Sequence, residues 1–450
     1  MSSKENRQLH LNLFVTPVGH HEAAWRHPDT DVDQLLDFSF FQRLAAKAEA
    51  AKLDSIFLAD RVATSPSAVQ YGAIGGYEPL TLLSALAVVT KRIGLIATVS
   101  TSFNEPFNLA RRFASLDHLS GGRAGWNIIT SGTDAEARNF NLEQIPEHAE
   151  RYERAREFLD IAVKLWDSWE RDALIRDKES GIYADHHKVH ELNHKGKYFS
   201  VKGPLNVSRS PQGRPVLVQA GSSQDGRQFA AEHAEAIFTA QQSFDEARAF
   251  YGDIKRRAAK AGRSPGHITI LPGICPIIGR TEEEAREKEA KLVELSNPAY
   301  SLIMLSNRVG FDLTGYPLDG PMPQLPVKEV RGHQSRTNLI VELAQRENLT
   351  LRQLLNRLAG GRGHRTVTGT PTQIADMLEH WFAEGAADGF NIMPQLMAGG
   401  LEDFLELVVP ELQRRGLFRT EYTGTTLRDH YGLPYPENQF AVKPASQAHY

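Results

Sequence analysis

The residues best placed to do chemistry in this 450-residue chain lie just after short apolar runs. Gly221-Ser222-Ser223-Gln224-Asp225-Gly226-Arg227 follows one such run and has the composition of a helix start. Free backbone N–H groups there, with the hydroxyls of Ser222 and Ser223, would bind a phosphate. The same residues would equally form a serine N-cap with an aspartate in the first turn. His148 and Tyr152 lie four apart, on one face of an expected helix, and both can donate to a phosphate or a sugar hydroxyl. Asp60 closes Phe57-Leu58-Ala59-Asp60 and could orient a ligand hydroxyl or ring N–H, or else pair with Arg61 or cap a turn. His20 and His21 follow the first apolar run, and one of them is a candidate proton carrier because imidazole titrates near neutral pH. The alternative is one packed ring and one solvated ring.

Other chemistries find less support. His186, His187, His190 and His194 match no closed zinc spacing, and the sequence shows neither a cysteine nor a carboxylate pair with them. A solvated insertion and no metal are expected. Walker and Gly-x-Gly-x-x-Gly loops are absent, as is the Gly-x-Ser-x-Gly elbow. Ser120-Gly121-Gly122-Arg123 reads as a helix terminator.

Eight strand candidates, mostly apolar runs, must position these residues: 11–15, 55–58, 93–98, 125–130, 216–220, 236–239, 268–278 and 389–393. Such runs suit strands buried on both faces, and helical stretches separate them, which implies a parallel sheet. Expected helices cover 38–51, 79–90, 108–119, 147–167, a segment opening at Thr370-Pro371, and 401–415. Eight alternating units predict an α/β fold, a (β/α)8 TIM barrel forming one domain over residues 1–450, with polar residues gathered at the C-terminal strand ends. Insertions interrupt the plan at about 61–77, 172–214 and 297–365, the last with one helix near 336–346 and the character of a lid. The proline-bearing tail from Tyr422 is expected to wrap a neighbour or to lie loosely.

A net charge of −4 offers nucleic acid no general attraction. The single cysteine, Cys275, cannot form an internal disulfide, which fits a reducing compartment. Residues 1–8 lack an apolar signal region, and no apolar run approaches the ~18 residues of a membrane span. A soluble, cytoplasmic protein is expected.

Several segments, in order, resemble the bacterial luciferase-like flavin monooxygenases. They are Val18-Gly19-His20, Ala24-Trp25-Arg26-His27-Pro28, Phe57-Leu58-Ala59-Asp60, and Arg111-Arg112-Phe113-Ala114-Ser115-Leu116-Asp117-His118. Gly122-Arg123-Ala124-Gly125-Trp126-Asn127, Glu147-His148-Ala149-Glu150-Arg151-Tyr152, Ala220-Gly221-Ser222-Ser223, Asp388-Gly389-Phe390-Asn391 and Val408-Val409-Pro410-Glu411-Leu412 complete the series. Within that family the chain is similar to the nitrilotriacetate, dibenzothiophene sulfone and long-chain alkane monooxygenases. The resemblance implies reduced FMN supplied by a separate NAD(P)H:flavin reductase, and transfer of one oxygen atom from O2 to a small organic substrate through a flavin hydroperoxide. It also implies a homodimer or homotetramer. Carried over by position, Asp60 and Thr98 would meet the isoalloxazine and ribityl region. His148, Tyr152, Ser223 and the backbone at Ser222 would hold the phosphate, and His20 would be the suspected catalytic histidine. The 297–365 segment looks most like the aminopolycarboxylate branch, with Arg331, His333, Arg336, Arg362 and Arg365 able either to grip carboxylates or to form a solvated surface. Sulfone or haloaromatic oxidation, a deazaflavin-dependent oxidoreductase and a flavin-binding protein without catalysis remain alternatives.

Overall fold

The computed structural model describes residues 7–73, 75–323, 334–361 and 363–441. Eight strands, β1 (His10–Phe14), β2 (Ser55–Leu58), β3 (Gly94–Ser100), β4 (Ala124–Ile129), β5 (Val216–Gln219), β6 (Ala236–Thr239), β7 (Thr269–Ile278) and β8 (Gly389–Ile392), fall on the eight apolar runs. Each pairs in parallel with the next, and β8 returns to β1, so the sheet closes into a barrel in sequence order. Helices pack against its outside. Most strands are buried at every residue because one side faces those helices and the other faces the barrel interior. Helix Pro106–Ser120 ends at Gly121 in the left-handed conformation (φ +70°), the terminator expected from the sequence. Arg123 beyond it donates to the carbonyls of Ala87, Thr90, Ile93 and Ser120, closing the ends of two helices and the entry to β3. Among the described residues no helix is long and apolar enough to cross a membrane.

Three features depart from the sequence expectations. Among its described residues the 297–365 segment holds three helices, Pro298–Val309, Gln334–Arg346 and Leu351–Ala359, around an apolar cluster of its own that includes Leu305, Leu343 and Leu354. A ninth strand, Arg365–Gly369, pairs with β7 from Ile274 to Ile278. It forms because β7, at ten residues, runs on past its pairing with β8 at Gly273 and Ile274.

The tail is the third departure: up to residue 441 it corrects the expectation of a loose or wrapping segment, and residues 442–450 lie outside the described residues. Residues 417–440 fold beneath the N-terminal end of the barrel. Leu427 reaches Gly94 and Gly125 at the first turns of β3 and β4, and the Tyr431 hydroxyl donates to Asn12 Oδ1 at 2.8 Å. Arg428 meets Glu235 through two hydrogen bonds, Arg419 pairs with the buried Asp54, and His430 donates to the Arg92 carbonyl. Leu427, Tyr431 and Leu433 join Phe57, Ile96 and Val218 in one interior cluster. The tail is thus the floor plug of the barrel. The 172–214 insertion forms two small hairpins, Leu174–Asp177 with Ile182–Ala184 and His194–Lys195 with Ser200–Val201.

Candidate functional site

The C-terminal strand ends form one rim, and the candidate residues follow it in strand order from β1 to β5. Asp60 lies two residues beyond β2 and is half-buried. Burial pushes its carboxyl up to about 6, against a backbone hydrogen bond from Arg61, and the nearby Glu78 and Glu136 add to the rise. The folded chain therefore keeps a proton at Asp60 over a range in which the unfolded chain has released it. The contribution of this group to stability is most favourable below the ordinary carboxylate range and is lost as pH rises through about 6. Asp60→Asn should flatten the fall in thermal midpoint across that window; melting curves at matched pH check this, and an unchanged slope would place the proton elsewhere.

Thr98 is buried on β3, and its Oγ1 accepts from Asn127 Nδ2 of β4 at 2.9 Å. The alternation of β3 and β4 turns both side chains inward. Below the mouth, Phe14, Phe57 and Phe238 of β1, β2 and β6 meet edge to face, with ring centres 5.0 to 5.5 Å apart. His20 contacts Phe14 at 4.8 Å, and His364 lies parallel on Phe238 at 4.8 Å. An aromatic floor thus lies below the mouth, with inward polar groups such as Thr98 and Asn127 beside it. His364 and the three phenylalanines were not singled out from the sequence. Phe14 and Phe57 could have been recognised as inward positions by their strand register, whereas nothing local marks His364.

His20 is buried, and its Nε2 donates to the Phe14 carbonyl at 2.9 Å. In the neutral ring that leaves Nδ1 as the atom able to take a proton. His21 has the same tautomer for a different reason, because its Nδ1 accepts from the Ala23 amide at 3.1 Å. His21 lines a cavity of about 70 Å³ between the rim and the helices of the 297–365 segment.

At β5 the chain passes through Gly221 and Ser222 into helix Gln224–His233. Ser223 is its N-cap, accepting from the Gly226 amide at 3.1 Å, so the capping alternative is realised. The cap does not stand alone. His148, at the start of helix His148–Asp167, places Nδ1 at 2.9 Å from Asp225 Oδ2 and Nε2 at 3.4 Å from Ser223 Oγ. Tyr152, one turn later, packs 4.9 Å from the His148 ring, and its phenol bonds to Ser223. Burial pushes that phenol up, so it stays protonated as a donor. Arg227 Nε holds the Ser222 carbonyl at 2.9 Å, which turns that peptide and fixes its backbone. Two elements far apart in sequence thus bring an imidazole, a phenol and a hydroxyl to the start of one helix. That is a donor set suited to a phosphate.

The insertion histidines are dispersed among carboxylates that the sequence pattern did not bring forward. His190 meets Glu170 at 2.8 Å and His194 meets Glu157 at 3.1 Å. Asp185, His186 and His187 bring one ligand atom each within 4.8 Å of the others near the surface, in the insertion and not on the rim. Arg365 is engaged by the Gln242 carbonyl at 2.6 Å and lies over the Trp381 ring. Arg331, His333 and Arg362, and the side chain of Arg336, lie outside the described residues.

Comparison with known proteins extends this picture. The profile of the luciferase-like monooxygenase family matches residues 17–388. The chain is 52% identical over 442 residues to N-acetyl-S-(2-succino)cysteine monooxygenase of Bacillus subtilis (strain 168), covering 98% of this chain and 100% of that one. It is 48% identical over 452 residues to nitrilotriacetate monooxygenase component A of Aminobacter aminovorans, covering 98% and 99%. Among solved structures, riboflavin lyase with modified FMN and riboflavin superposes with a TM-score of 0.85 at 33% identity, covering 95% of this chain and 97% of that one. A closed eight-strand barrel, a family match across most of the chain and relatives of equal length agree: this protein is a monooxygenase of the bacterial luciferase-like family, in the group that contains the nitrilotriacetate enzymes.

Proposed function

We propose that the enzyme uses reduced FMN, delivered by a separate NAD(P)H:flavin reductase, to insert one oxygen atom from O2 into a small polycarboxylate. The observation that carries the cofactor assignment is the convergence of His148, Tyr152 and Ser223 on the start of helix Gln224–His233. Close backbone passage at Gly221, where a Cβ would meet the Tyr152 hydroxyl at 2.8 Å, leaves these donors and the Ser222 backbone as a fitted cradle for the phosphate end. When bound, reduced FMN would supply two electrons to O2, one oxygen atom passing to the substrate and the other leaving as water.

The chain's own residues do the rest. Asp60 and Thr98, on the rim between the cradle and β1, would hold the polar edge of the ring system. The aromatic floor keeps water from below, and the 297–365 helices act as a lid above. His20 Nδ1 takes or returns a proton during oxygen transfer. The substrate class follows from the relatives, since nitrilotriacetate and N-acetyl-S-(2-succino)cysteine both carry several carboxylates. A partner reductase follows from the name of nitrilotriacetate monooxygenase component A, which is one part of a larger system.

The decisive experiment titrates the protein anaerobically with reduced FMN, then admits labelled O2 together with each of these two compounds. Tight binding of reduced FMN and one labelled oxygen in the product are expected. Absence of reduced FMN binding would overturn the assignment. In the same assay His20→Ala should bind reduced FMN normally but lose product and release hydrogen peroxide; full product formation would remove His20 from the reaction.

A further inference from the structure

The cavity between the rim and the lid has a charge pattern of its own. Its walls come from the loop after β1, the residues after β2, and helices Pro298–Val309 and Leu351–Ala359. Most of the lid side is apolar, with the buried Leu355 and Leu358 lining the space. Trp25 presents only its ring, because its indole N–H is already donated to the Tyr71 carbonyl at 3.0 Å. Thr16, His21 and Ser301 add polar groups to the wall, and two charged side chains, Arg61 and Glu22, stand among them. Arg61 follows Asp60 directly and is exposed, and its guanidinium forms no ion pair among the described residues. Glu22 is held in place from the lid: its backbone N–H donates to the Ala359 carbonyl at 3.1 Å and its carboxylate accepts from the Ser301 hydroxyl. Thr16, also on the wall, lies 3.5 Å from His20 Nε2, so the cavity adjoins the strand end that carries the proposed proton carrier.

We infer that this cavity is the substrate subsite and that it selects one end of an amino-acid derivative, Arg61 taking a carboxylate and Glu22 an N–H. A guanidinium with no ion pair among the described residues, facing the leucines of the lid, gains most from a planar, bidentate anion. A carboxylate fixed on another wall repels a second anion and favours a donor such as an amide or ammonium N–H. The apolar lid face covers the carbon or thioether chain between them. A ligand of three carboxylates therefore seats one on Arg61 and leaves the others outside this subsite. This rests on the monooxygenase reading above, but it concerns how the substrate is chosen and not how the flavin is held.

The test uses the full chain loaded anaerobically with reduced FMN, titrated calorimetrically with N-acetyl-S-(2-succino)cysteine, its trimethyl ester and 2-(methylthio)succinate. Arg61→Ala should weaken binding of the free acid ~10- to 100-fold, with Arg61→Lys intermediate, while the trimethyl ester binds wild type and Arg61→Ala alike. In steady-state turnover the same variant should raise KM with kcat changed little, because the lost contact is equally present before and during reaction. Glu22→Gln should weaken the N-acetyl compound ~3- to 10-fold and leave 2-(methylthio)succinate, which has no N–H, unaltered. Equal binding of the free acid by wild type and Arg61→Ala, or no binding by wild type, overturns the anion assignment. A parallel effect of Glu22→Gln on both thioethers, or none on either, overturns the donor assignment. Failure of the cofactor reading shows separately, as wild-type protein that does not take up reduced FMN.

Discussion

Arg428→Met is expected to destabilise the fold by ~3–5 kcal/mol, the cost of leaving a buried carboxylate without its partner. Arg428 bonds Glu235 at 2.6 and 3.1 Å, and the side chain of Arg428 is only 3% exposed. Burial alone would raise the Glu235 carboxyl, but Arg428 and Arg214 hold it below its ordinary value. Glu235 also receives the Leu217 amide at 3.0 Å, so the ion pair joins the tail to the first residues of β5 and β6. Methionine keeps an unbranched apolar stem but removes the guanidinium, and with it both hydrogen bonds to Glu235 and the one to the Pro434 carbonyl. The double variant Arg428→Met, Glu235→Gln should recover part of the loss, since neither member of the pair is then charged, while Arg214 gives up the Glu235 carboxylate and keeps Asp167. The sign of the pH dependence follows from the depressed carboxyl: the stabilisation is full above the ordinary glutamate range and fades only as pH falls below it. Arg428→Met should therefore lower the melting midpoint most near neutral pH and least in acid. A midpoint equal to wild type at pH 7 would mean that the tail does not brace the barrel.

That contact marks where sequence reading stops. The eight strands were legible because a strand buried on both faces is mostly apolar, and runs such as Ile56-Phe57-Leu58 admit little else. The rim was legible for the same reason, since polar residues directly after such runs have to lie at one end of the barrel. The tail was not. Leu427 and Tyr431 are four apart and form an apolar face, but the surface they fit comes into being only when β8 meets β1. Local composition, dominated there by prolines, suggested a loose end.

The lid shows a different failure. Leu351, Leu354, Leu355 and Leu358 recur at helical spacing, as do Leu302, Leu305 and Val309. The signal was present but was outweighed by the Pro, Gly and Arg content of the surrounding segment. Strand Arg365–Gly369 carried no such signal. Its residues are mostly half-buried, and it exists because β7 outruns its pairing with β8. In the site, sequence spacing placed His148 and Tyr152 on one helix face, and it identified Ser222 and Ser223 as a helix start. What it could not supply was the meeting of the two. Contact between His148 and Asp225 spans 77 residues, and it is this contact that turns an ordinary N-cap into a candidate anion site.

Gly221→Ala tests that site most severely, and a ~10- to 100-fold loss of affinity for reduced FMN is expected from one or two displaced charge-assisted hydrogen bonds. A Cβ on Gly221 would sit 2.4 Å from Gln219 Nε2, 2.8 Å from the Tyr152 hydroxyl and 3.2 Å from Gly226 Cα. Gln219 is 3% exposed and Tyr152 is 7% exposed, so neither has open solvent to retreat into. The methyl group must push the phenol away from Ser223 or move the first turn of helix Gln224–His233, and either shift dismantles the donor set. The fold should suffer less, by ~1–3 kcal/mol, because the strain lies at a strand end and not within the barrel wall. Reduced riboflavin separates the two effects, since it has the same ring system and lacks the phosphate. Wild-type protein should prefer reduced FMN strongly over reduced riboflavin, and Gly221→Ala should lose most of that preference while its affinity for reduced riboflavin changes little. Ser223→Ala should lose part of the same preference and, as an N-cap, cost the helix ~1 kcal/mol. If Gly221→Ala weakens both flavins equally, the phosphate is held elsewhere and the change acts on the ring pocket. If it weakens neither, the start of this helix is a cap and nothing more.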